Sequence, residues 1–187
     1  LLTITTFFLQ AAIAGVFLAS GLSKVRGGDH QETWAVLAAR LPLRHLPVRA
    51  ASRAHVGVEI AVGTALLAGA WLRVPALAAA TVLLAAFTLL ALYSTRADDA
   101  VPCSCFGTSR AVLGWPHVWR NLALTGLAGA GLVCASAVGP ALPASLAGAA
   151  LAVVGALAVT AVTFFFDDLV ELFRPLESAP GGRTSRR

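Results

Sequence analysis

A chain of 187 residues in which 58% are apolar and 12% charged, with a mean hydropathy of +0.80, is too apolar for a water-soluble domain, where about 45–50% apolar and about 25% charged residues are usual. It reads as an integral membrane protein. The net charge of +5 is clustered, at Lys24, Arg26, Arg40, Arg44, Arg49 and Arg53 and again at Arg183, Arg186 and Arg187, which fits flanking charges that orient spans and touch anionic lipid and argues against a nucleic-acid partner.

Five runs are long enough to cross a hydrocarbon core of about 30 Å at about 1.5 Å per helical residue: 1–22, 54–71, 74–93, 115–138 and 142–166. Apolar residues surround every side of these runs, without the period-two alternation of a barrel strand, so all five are expected to be helices. The expected fold class is all-α, a polytopic membrane helical bundle: one transmembrane domain over 1–171 and a basic, disordered tail over 172–187, ending in "APGGRTSRR". The first run has no basic residues ahead of it, and its positive charges follow it, so it is expected to stay as a span rather than be cleaved as a signal peptide.

In chain order, the connection over 23–53 contains "QETWAVLAARLP", whose apolar positions Trp34, Leu37, Ala38 and Leu41 follow helical spacing until Pro42 stops it. A short amphipathic helix at the membrane interface is expected there. Leu72 and Arg73 make a tight hairpin between runs two and three, and Gly139 and Pro140 another between runs four and five. Glycines at 57, 63 and 69 and at 126, 129 and 131 are expected to let helix backbones approach closely. Trp71, Trp115 and Trp119 stand at run ends, as interfacial anchors do.

Alternating direction brings the end of run one, the start of run two, the end of run three and the start of run four to one membrane face. Lys24, Glu59, Arg120 and Asn121 lie at similar depth there, and ionisable groups within spans are costly unless paired or wetted. The expected pairing is Glu59 with Arg120 or Lys24, Asn121 satisfying what is left. The same face receives "VPCSCFG", with Cys103 and Cys105 one residue apart.

Disulfides need Cα atoms about 4.4–6.8 Å apart, and an extended pair two residues apart spans about 7 Å, so these cysteines bond only across a turn. Pro102 and Gly107 suit one. The small ring would be strained, and strained, exposed disulfides are the labile ones, so the spacing suits a pair that cycles between thiol and disulfide. Three other readings stay open: a zinc site, for which Cys103, Cys105 and His117 supply three of the four ligands needed; a soft-metal carrier using two thiolates; and a structural membrane subunit. His30, His45, His55 and His117 each read most simply as surface or interfacial residues, and His117 alone is near enough in sequence to serve the thiols as a base. Cys134 is about 27 Å along a helix from Pro116 and is expected to be inert.

The segments "GLSKVRG", "VGVEIAVG", "CSCFG", "LGW" and "WRNLAL" together resemble the family of the methylamine-utilisation membrane protein MauE, within the DoxX-like group of small helical membrane proteins, over residues 11–138. The resemblance implies a four-helix DoxX-like core to which this chain adds a fifth transmembrane helix. It also implies a part in methylamine metabolism, assisting a thioredoxin-like partner in forming the disulfides of an exported enzyme. On that basis Cys103 and Cys105 are the redox pair, accompanied by Lys24, Glu59, Arg120 and Asn121. No metal is implied and no cofactor is identified; a quinone is one acceptor that a membrane supplies, and no residue here points to it. A multi-pass protein of the plasma membrane is expected. The positive-inside tendency puts the basic first connection, and with it Cys103 and Cys105, in the cytoplasm, whereas the family role asks for the outer face.

Overall fold

The structure, a computed structural model, describes residues 1–26, 30–40, 47–96 and 114–172. Among them there is no strand. In chain order the helices are α1 (Leu2–Arg26), α2 (His30–Arg40), α3 (Val48–Leu67), α4 (Arg73–Arg96), α5 (Trp115–Val138), α6 (Leu146–Phe164) and α7 (Phe166–Leu172), with a single 3₁₀ turn, Ala70–Leu72, ahead of α4. Local chemistry accounts for several ends. Ser145 caps α6 by accepting the Gly148 amide at 3.1 Å, and Pro116 occupies the first turn of α5, where a missing N–H breaks no helical bond. Threonines inside the apolar helices return their hydroxyls to their own backbone, as Thr81 does to Leu77, Thr88 to Leu84 and Thr163 to Val159. A hydroxyl away from water has to find such an acceptor.

Among the described residues four helical segments are, by length and composition, long and apolar enough to cross a membrane: Leu2–Val25, Ala70–Arg96, Trp115–Val138 and Leu146–Phe164. The expected second span, 54–71, is not among them. Its helix begins earlier, at Val48, and carries Arg49 and Arg53 in its first turns; it stops at Leu67 because Gly69, at φ +148°, turns the chain into the 3₁₀ segment that holds Trp71. Only glycine reaches that φ without strain. At 20 residues α3 is as long as a span needs to be, but Arg49, Arg53 and Glu59 leave it less apolar than the other four.

Helix α1 is the centre of the bundle, packing on α3, α5 and α6, while α4 pairs with α5 and α2 lies on α3. Neighbouring side chains set the directions. Ile4 meets Gly148, Phe8 meets Gly155 and Gly15 meets Thr160, so α1 and α6 run parallel; Leu18 meets Gly63 and Ile60 meets Gly21, so α1 and α3 run antiparallel. The core is formed by Ile13, Ala14, Phe17, Leu66, Leu77, Ala80, Leu84, Leu124 and Ala128. A smaller cluster, Ala91 and Val118 with Val36, ties α2 to α4 and α5.

Of the glycines expected at helix contacts, Gly63 and Gly131 do face a neighbouring helix, whereas a Cβ at Gly57, Gly69, Gly126 or Gly129 would meet nothing within 4 Å. The close approaches are instead at Gly15, Gly21, Gly148 and Gly155. Arg73 also departs from the hairpin expected of it. It is the first residue of α4, is 1% exposed, and its Nη1 donates to the carbonyls of Gly139 (3.3 Å) and Ala141 (3.0 Å), clamping the turn between α5 and α6.

Candidate functional site

The charged residues buried within the helices collect at the end of the bundle opposite Arg73, where α1, α4 and α6 finish and α5 begins. Two groups of similar design stand there. In the first, a single oxygen of Glu59 takes three neighbours: Lys24 Nζ donates at 2.5 Å, Ser20 Oγ at 3.1 Å, and His55 Nε2 lies at 3.2 Å. Lys24 Nζ also donates to Ser20 Oγ at 3.0 Å. Glu59 is 3% exposed, and its second oxygen, Oε2, has no hydrogen-bond partner among the described residues. One turn of α3 brings His55 beneath Glu59, and Trp34 of α2 closes over the imidazole, its Nε1–H donating to His55 Nδ1 at 3.3 Å. Phe87 of α4 stacks on the other side of that ring.

In the second group Asp167 of α7 receives Arg120 Nη1 at 3.3 and 3.4 Å, one distance to each oxygen, and His117 Nε2 lies 3.3 Å from Oδ1. The Gly114 amide donates to His117 Nδ1 at 3.2 Å, which caps α5 and leaves the ring proton on the nitrogen facing Asp167. The Arg120 guanidinium carbon sits 5.7 Å from the centre of the Phe166 ring. Burial raises the Asp167 carboxyl, but the His117 ring and the Arg120 charge outweigh it, and the group is held below the ordinary carboxylate value.

The bundle therefore brings Lys24, Glu59, Arg120 and Asn121 to one end and buries all four, as their depth in sequence predicts. It pairs them differently from one of the expected arrangements: Glu59 is bound to Lys24 and not to Arg120, whose carboxylate is Asp167. The Asn121 backbone carbonyl accepts the Thr125 hydroxyl at 2.7 Å. Cys103 and Cys105 lie outside the described residues. The connection that carries them leaves α4 after Arg96 and rejoins the chain before Gly114, and both of those points are at the charged end. Cys134 is a free, half-buried thiol in the last turn of α5, at the other end of the helix, as its sequence distance predicts.

Asp167 escaped the sequence reading, and His55 and His117 were not expected to pair with carboxylates. Asp167 could have been found, since helix parity brings the end of the last span to the face of Arg120. His55 could also have been found, standing one turn before Glu59, but only the fold shows Trp34 reaching it from a different helix. His117 is 4% exposed, far from a surface residue. Among the described residues no cluster of three or more His, Cys, Asp or Glu side chains is arranged to hold a metal.

The model of the family described as methylamine utilisation protein MauE matches residues 2–134. Neither a curated protein nor a solved structure matches the chain.

Proposed function

The chain belongs to the MauE family, and we propose that it is a membrane thiol-disulfide exchange protein whose redox pair is Cys103 and Cys105. The observation that supports this reading is where the described residues flanking the "CSCFG" connection stand: Arg96 ends α4 and Gly114 precedes α5 at the bundle end where Lys24, Glu59, Arg120 and Asn121 are gathered. Cations and the start of a helix near a thiol favour its thiolate, the nucleophile in exchange. In the reaction a thiolate of a thioredoxin-like partner attacks one sulfur of the Cys103–Cys105 disulfide. A mixed disulfide forms and the other cysteine leaves as a thiolate, which takes up a proton. The partner's second thiol then displaces the first bond, so the partner leaves oxidised by two electrons and the pair is left as two thiols. Reoxidation of the pair requires an acceptor, for which a membrane quinone is the class we favour.

The description of the family, methylamine utilisation protein, supports a part in that metabolism, in which the oxidised partner would mature an exported enzyme. The protein then sits in the plasma membrane with its four apolar segments across it, a DoxX-like core in which the more polar α3, antiparallel to α1, returns the chain to the far side, and the thiol connection on the oxidising side.

Replacing the resolving cysteine should trap the mixed disulfide, so Cys103→Ser and Cys105→Ser are both to be made in cells and their thiol adducts resolved on non-reducing gels. At least one should give an adduct that reductant removes, and Cys134→Ser should behave as the parent. A failure of both to trap a partner, together with tight binding of a soft metal by the reduced parent, would replace this reading with that of a thiolate carrier. Labelling of Cys103 and Cys105 on intact cells by a membrane-impermeant reagent decides the side.

A further inference from the structure

We propose that the contact between His55 and Trp34 is an acid-sensitive tie that holds the interfacial helix α2 on the bundle. The hydrogen-bond pattern around the imidazole carries the argument. An indole N–H can only donate, so His55 Nδ1, which Trp34 Nε1 reaches at 3.3 Å, is the unprotonated ring nitrogen. The single ring proton is therefore on Nε2, 3.2 Å from Glu59 Oε1. The ring has little freedom to choose otherwise, being edge-on to Trp34 at 5.8 Å between centroids and stacked on Phe87 at 5.0 Å.

A second proton can go only to Nδ1. It would set an N–H of the imidazolium against the N–H of the indole, donor against donor, and the bond between His55 and Trp34 would be lost. The bond to Glu59 would survive and gain a charge. Acid thus moves the hold of His55 from α2 to its own helix. Among the described contacts of the ring the charged groups are Glu59 from α3 and, on the same carboxylate oxygen, Lys24 from α1; α2 presents Trp34 and α4 presents Phe87, neither of which ionises in this range. Imidazole is the side chain that changes charge between pH 5 and 8. Helix α2 is the element to respond, because it is short and packs chiefly on α3. The tie is independent of any thiol chemistry.

Hydrogen exchange of the full chain in detergent at pH 8 and pH 5, corrected for the intrinsic pH dependence of exchange, tests this. Loss of one hydrogen bond should lower the protection of residues 30–40 about fivefold at pH 5, with the middle of α1 unchanged. His55→Gln keeps an acceptor for Trp34 that does not titrate, and should leave α2 equally protected at both pH values. Should that variant lose the fold, seen as lost protection in the middle of α1, Trp34→Phe takes its place and should show α2 weakly protected at both. Equal protection of α2 in the parent at pH 8 and 5 overturns the proposal, and so does a parental pH response retained in His55→Gln or in Trp34→Phe.

Discussion

At Glu59 one carboxylate oxygen serves Lys24, Ser20 and His55, so replacing it unsettles three contacts at once between and within α1 and α3. Glu59→Gln leaves Lys24, whose side chain is 4% exposed, as a buried charge without its carboxylate. Breaking a buried pair in this way costs about 3–5 kcal/mol, and a lowered melting midpoint in detergent is expected. Adding Lys24→Gln should recover part of that loss, because the stranded charge goes with it; two single losses that simply add would deny the coupling. Asp167 gives a pH signature of its own. Its carboxyl is held below the ordinary value by His117 and Arg120, against the opposing effect of burial, so the stabilisation it contributes is full above the ordinary carboxylate range of about 4 and is lost as pH falls through its lower folded value. The parent should therefore lose melting temperature in that acid window. Asp167→Asn should flatten the loss and start from a lower midpoint at neutral pH.

Among the helices, contact and not glycine content decides which positions matter. A Cβ at Gly63 would stand 2.7 Å from Leu18 Cγ and 3.2 Å from the Leu18 backbone nitrogen, in the middle of the α1–α3 interface, whereas nothing lies within 4 Å of Gly126. Gly63→Ala should then destabilise the bundle by about 1–3 kcal/mol through overpacking. Gly126→Ala should be neutral or stabilise it by up to about 1 kcal/mol, the helix-propensity difference. Equal midpoints for the two variants would show that α1 and α3 are not packed this closely. Early termination of α3 also explains a buried amide: Gln10 of α1 donates to the Leu66 carbonyl, which the end of the helix would otherwise leave without a partner.

The family match ends at residue 134, yet the fold does not. Helix α6 lies along α1 through Gly15 and Thr160, Phe8 and Gly155, and Ile4 and Gly148, and it delivers Asp167 to Arg120. A chain ending at residue 138 should for this reason lose more melting temperature and membrane yield than Asp167→Asn does, since it gives up an apolar interface as well as an ion pair. A truncated chain as stable as the full one would make α6 and α7 an appendage.

Composition and run length were enough to establish the helical class, the membrane, four of the five expected spans and the shared depth of Lys24, Glu59, Arg120 and Asn121, because hydrophobic length and helix parity are local, one-dimensional properties. The two-residue spacing of Cys103 and Cys105 and the family's motif residues were equally legible, being contiguous. Pairing was not. Lys24 or Arg120 could equally have reached Glu59 by depth, and the choice fell to Lys24 because α3 packs on α1 while the end of α6 brings Asp167 over α5. Nor could the sequence show that the helix of the second run ends at Leu67, since Gly69 breaks it only by taking a backbone angle that glycine is free to refuse. Partners at a helix contact depend on rotation about each axis and on which helices are neighbours, and those are decided only when the whole bundle packs.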